Sequence, residues 1–236
     1  MDIDGLNAII ENGKIDEFVR VCEARQVKAL SKIADEISGR SGIRLVLLAG
    51  ASSAGKTTTA KRLATQLRVN GLVAMHLSTD DYFVGNSRNP RDENGEFDYE
   101  RVDCVDMPRL SQDLNALLDG AKVNLRRFDF IQHEGFDSRS ATSLEKGGVI
   151  ILEGIHALNP ILVDGVDDSV KCRVFMGVVM MTAPRRSASA ISSARGFCPF
   201  VKMKQKALRS QRAAMRAKRV ASSSDLKYAV SDFPMS

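Results

Sequence analysis

Gly50-Ala51-Ser52-Ser53-Ala54-Gly55-Lys56-Thr57-Thr58 is the stretch on which the reading of this 236-residue chain turns. It fits G-x-x-x-x-G-K-[ST], a phosphate-cradling loop, and its flanks have the order that such a loop requires. Ahead of it, residues 43–49 (Ile-Arg-Leu-Val-Leu-Leu-Ala) form an apolar run that reads as a buried strand. Behind it, Ala60, Leu63, Ala64 and Leu67 recur at helical spacing, and the pattern stops near Gly71.

The residue types carry the chemistry. Gly50 and Gly55 have no side chains, so the loop can wrap with its N–H groups turned toward a polyphosphate. The following helix adds the partial positive charge of its N-terminus at the same point. Lys56 has the reach to meet β- and γ-phosphates, and the Thr57 hydroxyl is placed to ligate Mg²⁺. The expected nucleotide-holding set is therefore Gly50, Ser52, Ser53, Ala54, Gly55, Lys56, Thr57 and Thr58.

Composition narrows the class. No run approaches the roughly 18 to 20 apolar residues that cross a bilayer. The first residues, Met1-Asp2-Ile3-Asp4-Gly5, are acidic and lack the order of a secretory leader. Cys22, Cys104, Cys172 and Cys198 are scattered with no C-x-x-C pair, which points neither to zinc nor to a disulfide framework. The expected compartment is the cytoplasm. Residues 177–236 carry 12 Lys and Arg against 2 acids, whereas the first 176 carry 22 against 27. The charge therefore turns from −5 to +10 at one boundary. A basic block of this kind can meet nucleic acid or an acidic surface, but it is more often solvated or disordered. It holds no interleaved aromatic platform, so nucleic acid ranks last among the partners.

Taken in order, residues 15–37 read as a bracing helix with Val19, Cys22, Leu30, Ile33 and Ile37 near one stripe. Residues 1–14 are polar and carry little pattern. Residues 72–78 read as a second strand, followed at once by Thr79-Asp80-Asp81-Tyr82-Phe83. Ligands of parallel sheets lie beyond the carboxyl ends of strands, so Asp80 and Asp81 are both placed to meet a substrate hydroxyl. A helix-capping or turn role is the alternative for either acid. Residues 85–98 read as a long functional loop. A helix over 106–119 buries Leu110, Leu114, Leu117 and Leu118, and a strand-like run over 123–131 precedes His133. Residues 148–156 form the second strong signal, an apolar strand that ends on Glu153-Gly154. A carboxylate buried after four apolar residues is costly unless a cation compensates it, which argues for a functional Glu153 near Mg²⁺. Residues 171–176 read as one more strand.

With these motifs in order, the chain resembles the uridine kinase/phosphoribulokinase family of P-loop kinases over about residues 13–175. The resemblance implies ATP in the loop, and the S-x-D-x-[YF] match at Ser78, Asp80 and Tyr82-Phe83 implies Asp80 as base toward a nucleoside 5′-hydroxyl. The match at Gly95, Phe97, Asp98, Tyr99 and Glu100 implies that Glu100 contacts the sugar. Phe128, Asp129, Phe130 and His133 match a further segment, with Phe128 where the family has tyrosine. Together these imply Tyr82, Glu100, Phe128 and His133 as acceptor-binding residues, with Thr57 and Glu153 serving the metal. The expectation is thus an α/β P-loop NTPase with a parallel sheet flanked by helices. It is divided into an N-terminal helical extension (1–42), a kinase core (43–176) and a basic, irregular or helical tail (177–236).

After Phe175 the family's Arg-rich lid, D-x-R-x-x-R-R, has no counterpart in the following Met-Gly-Val-Val-Met-Met-Thr-Ala-Pro-Arg-Arg-Ser. Either the tail is genuine, with a basic helix over 200–220, or the reading frame shifts near residue 176. Sequencing the transcript across codons 170–190 separates the two, and an unbroken frame in independent clones excludes the shift. The expected activity is ATP-dependent phosphorylation of a uridine- or cytidine-like nucleoside. The alternative is a nucleotide-binding protein with little turnover because the lid is missing. The absence of an N-K-x-D guanine motif argues against a GTPase.

Overall fold

The computed structural model describes residues 3–85, 88–163, 165–177 and 228–229. The apolar run before the loop becomes β1 (Leu45–Gly50), and the helix after it is α3 (Lys56–Val69). Ahead of them lie α1 (Ile3–Glu11), in a stretch with no readable pattern, and α2 (Ile15–Gly39), the expected bracing helix. β2 (Ala74–Ser78) runs into a short 3₁₀ turn, Thr79–Tyr82. α4 (Met107–Leu118) starts where Asp106 caps it by accepting from Arg109 N. The strand expected over 123–131 is shorter, β3 (Arg126–Asp129), because it turns back as a hairpin with β4 (Glu134–Asp137). His133 sits at that turn with a φ of 55°. β5 (Val149–Gly154) and β6 (Lys171–Met176) follow as expected, and β7 (Tyr228–Ala229) pairs with β6.

The main sheet runs β2-β5-β1-β6-β7 and every pairing in it is parallel. Parallel sheets are covered on both faces, which is why β1 and β5 are apolar throughout. Alternate residues serve opposite layers. Leu45, Leu47, Ile150 and Leu152 join Leu110, Leu114 and Leu117 of α4 on one side. Val46, Leu48, Val149 and Ile151 join Leu30, Ile33 and Ile37 of α2 and Ala60, Leu63 and Leu67 of α3 on the other. The 25-residue α2 is held by this packing, and Asn70 Nδ2 at the end of α3 donates to its Asp35 at 2.9 Å. Among the described residues no helix is long and apolar enough to cross a membrane. The expectations for residues 178–227 and 230–236, including the basic helix and the frame shift, lie outside the described residues.

Parallel register brings the carboxyl ends of three strands to one level. Ala49 pairs with Gly154, Leu48 with Glu153, and Ser78 also with Glu153. β1 lies between β5 and β6, and the chain leaves β1 toward β2 on one side but leaves the adjacent β5 toward β6 on the other. The site therefore occupies the crevice where strand order reverses.

Candidate functional site

The loop after β1 is shaped by backbone conformation. Gly55 has a φ of 82°, a left-handed value that suits glycine, and it stands as the N-cap of α3. Among the described residues no side chain caps that helix, which leaves its first N–H groups open at the loop. Ser53 is left-handed as well, at 62°, the kind of strained position that clusters at ligand-binding turns. Lys56 Nζ donates to the Ala51 carbonyl at 2.9 Å across the loop. Ser52, Ser53, Gly55, Thr57 and Thr58 are exposed, while Ala54 is buried beneath them.

Glu153 ends β5 with 3% of its surface exposed. Thr57 Oγ1 donates to its Oε1 at 2.8 Å, and His76 Nε2 lies 3.7 Å from the same oxygen. Burial works to raise its pKa, yet the His76 imidazole, the Thr57 hydroxyl and the Lys56 charge outweigh it. Its carboxyl is held below the usual range and is ionised at neutral pH. Gly154 must be glycine, because a Cβ there would overlap the Thr79 hydroxyl. That contact seats the 3₁₀ turn bearing Asp80 and Asp81 against the end of β5.

The turn treats its two acids differently. Ser78 caps it by accepting from Asp80 N at 3.3 Å. Asp81 accepts from Arg127 Nη1 of β3 at 2.8 Å, so it ties the turn to the hairpin. Asp80 is left facing Lys56 and Glu153. Burial raises the Asp80 pKa and the Glu153 charge adds to this, while Lys56 opposes both. Lys56 in turn is lowered by burial, against the pull of Glu153 and Asp80. The result is a cation between two carboxylates of different proton affinity, an arrangement suited to a base beside an anion-holding lysine.

The acceptor residues expected from sequence divide into three. Phe128 is buried and meets Phe83 edge-on at 5.6 Å between centroids. Phe83 also packs on Tyr99 and Phe130. His133 stacks on Tyr99 and shares a 2.9 Å hydrogen bond through Nδ1 with the Tyr99 hydroxyl. Glu100 is exposed next to this cluster in the chain. Tyr82 stands apart. It is 1% exposed, and its hydroxyl donates to Asp113 of α4 at 3.0 Å, with Arg109 Nε on the other carboxylate oxygen. Burial, with the Asp113 charge added, pushes that phenol far up, so it stays protonated. Replacing Tyr82 by Phe is expected to lower the unfolding free energy by about 1–3 kcal/mol, because Asp113 loses one partner in the core. A denaturant midpoint measures that loss, and phosphotransfer constants unchanged by the same substitution would assign Tyr82 to the core alone.

Two contributors escaped sequence reading, His76 and Arg127, which reach the site only through long-range contacts. Phe83, matched in sequence only as a motif position, is joined to the aromatic cluster by the hairpin. The one local signal was period-2 spacing, which puts His76 on the face of β2 shared with Ser78.

A parallel sheet whose first strand feeds a glycine-bearing loop and an uncapped helix N-terminus, with a buried acid ending the adjacent strand, defines an α/β protein of the P-loop class. Residues 45–180 match the model described as "Phosphoribulokinase / Uridine kinase family", and the chain belongs to that family. It is 34% identical over 114 residues to a uridine kinase of Lactobacillus helveticus, covering 48% of this chain and 53% of that one. A uridine kinase of Deinococcus deserti is 33% identical over 111 residues, covering 47% and 52%. The chain thus spans about half the length of the curated relatives it matches. A solved structure described as a "Possible Uridine Kinase from Bacillus stearothermophilus" superposes with a TM-score of 0.55 at 18% identity, over 86% of this chain and 97% of that one. That likeness is one of fold.

Proposed function

We propose that this chain is an ATP-dependent kinase that transfers the γ-phosphoryl group to the 5′-hydroxyl of a pyrimidine nucleoside such as uridine or cytidine. One observation carries the reading: Lys56, Thr57, Asp80 and Glu153 converge at the carboxyl ends of β1, β2 and β5, with Lys56 among the acids. A hydroxyl beside an ionised carboxylate is an oxygen donor set that suits Mg²⁺, a cation that keeps several waters and shares phosphate oxygens. Thr57 and Glu153 would hold the ion, and residues 50–58 would hold the phosphates. ATP with Mg²⁺ supplies the electrophilic phosphoryl group.

The remaining steps belong to the chain's own side chains. Asp80 orients the acceptor hydroxyl and takes its proton, its affinity for that proton raised by burial and by Glu153. Lys56 leaves the Ala51 carbonyl to meet the phosphates. The Tyr99–His133 hydrogen bond holds the imidazole against an aromatic wall that suits a flat base, and Glu100 is the acid for the sugar. The uridine kinases among the relatives support this acceptor class. The reading is of a cytoplasmic enzyme of small molecules.

A second reading has a specific observation behind it. The family match stops at residue 180, and the chain beyond β6 does not supply the arginine pattern of the lid. Arginines acting on a transferring phosphate can be worth roughly 10³–10⁵ in rate, so their absence bears on turnover more than on binding. A labelled-phosphate assay with uridine, cytidine and other alcohol acceptors decides between the two. Phosphorylated uridine or cytidine above a Lys56→Ala control supports the kinase. Retained MgATP binding with no product from any acceptor supports a nucleotide-binding protein.

A further inference from the structure

His76 is a polar group at the site that the phosphotransfer reading leaves without a task. It lies on β2 in register with Ile151 of β5, in a strand otherwise made of Ala74, Met75, Leu77 and Ser78. Its Nε2 is buried and makes no hydrogen bond among the described residues. The group facing that nitrogen is Glu153 Oε1 at 3.7 Å, the same oxygen that accepts from Thr57. This distance exceeds a hydrogen bond, but an approach of less than an ångström would close it. A buried ring nitrogen without a hydrogen bond carries a desolvation penalty. Packing alone would be served as well by an apolar side chain such as those of Ala74, Met75 and Leu77 in the same strand.

We propose that His76 is a positioning residue for Glu153. Its Nε2–H and the Thr57 hydroxyl grip one carboxylate oxygen from two sides, so that Glu153 is fixed in the orientation a Mg²⁺-nucleotide requires. The inference rests on the nucleotide reading above and adds to it a residue that acts on the metal site through the acid. Partners of this kind orient a ligand and set its basicity, and removing one typically lowers metal affinity or activity about 10- to 100-fold. The imidazole also lines a cleft of about 240 Å³ beside Met75, Leu125 and Arg127, which gives a small molecule access to its position from solvent.

The test is equilibrium binding of a fluorescent ATP analogue by the full chain, titrated with Mg²⁺ and repeated in EDTA. His76→Leu keeps the bulk and removes the donor. It is expected to raise the Mg²⁺ concentration at half-saturation about 10-fold or more, while binding in EDTA stays unchanged. His76→Gln, which restores an N–H, is expected to recover most of that loss. Imidazole added to His76→Ala is expected to do the same through the cleft. A parent chain that tightens with Mg²⁺, together with a His76→Leu midpoint within about two-fold of it, overturns the positioning role and leaves the nucleotide reading intact. A parent that shows no Mg²⁺-dependent binding overturns both. If His76→Leu fails to fold, the Gln and Ala variants decide: loss in both, without rescue by imidazole, overturns the proposal.

Discussion

Asp80→Asn is expected to lower kcat by about 10²–10⁴-fold and, at pH 8, to raise the melting temperature. Both effects have one source. The carboxylate at position 80 is partly buried and faces the ionised Glu153, so it holds its charge at a free-energy penalty that Lys56 only partly offsets. The proposed mechanism requires that charge, because a base must be free to accept the hydroxyl proton. The amide keeps the shape, loses the proton affinity and removes the penalty. The pH dependence has a definite sign. The Asp80 pKa is higher in the folded chain than in the unfolded one, so the penalty is full above the folded value. It fades as pH falls toward the unfolded value, where both states bind the proton. The thermal gain of Asp80→Asn should therefore shrink on acidification, which parallel melts at pH 8 and pH 4.5 measure. The acid limb of kcat/KM in the parent should lie above the ordinary aspartate value near 3.8. A variant with parental turnover would remove Asp80 from the chemistry. A gain that persists at low pH would remove the charge explanation.

The second large effect is expected at Lys56. Lys56→Ala should weaken nucleotide binding and reduce kcat by about 10²–10³-fold, the loss typical when a group aimed at developing charge is deleted from a preorganised site. Burial already lowers the pKa of this lysine, with Glu153 and Asp80 pulling the other way. The cation is thus carried at a penalty that bound phosphates would relieve. Removing it also strips both acids of their compensating charge. The acid limb of the residual activity should then move to higher pH than in the parent. The shift separates an electrostatic role from a merely structural one, since loss of the Lys56–Ala51 hydrogen bond alone leaves the proton affinity of Asp80 nearly unchanged. Residual activity with an unmoved acid limb would exclude the coupling.

How far the chain could be read without its fold depended on whether each feature was local. The strand, loop and helix around residues 50–58 were legible because apolar runs, a left-handed glycine and an open helix N-terminus are properties of adjacent residues. Glu153 was legible for a related reason: an acid at the end of a wholly apolar strand conflicts with its surroundings unless it has a partner. The α4 boundaries followed from Asp106 and Gly120 at its ends. The hairpin was missed because residues 123–131 look like a single strand until β4 returns along β3. α1 was missed because nine residues offer too few periods to stand out from a polar stretch.

The functional pairings were decided at longer range. Sequence by itself determined that this chain has a loop of the G-x-x-x-x-G-K-[ST] pattern, a buried acid ending a later strand and a parallel α/β sheet, since each is encoded within a few neighbouring residues. Position after β2 left both adjacent aspartates open and the family resemblance pointed to Asp80, but only tertiary structure gives the physical reason. Arg127, 46 residues away, draws Asp81 to the hairpin and leaves Asp80 facing Lys56 and Glu153. It likewise turned Tyr82 into a core residue through Asp113, 31 positions on, and set His76 against Glu153 across two paired strands. The physical reason is common to all three. A side chain's partner is set by sheet register and helix packing, and these depend on the whole buried core rather than on the motif in which the residue is found.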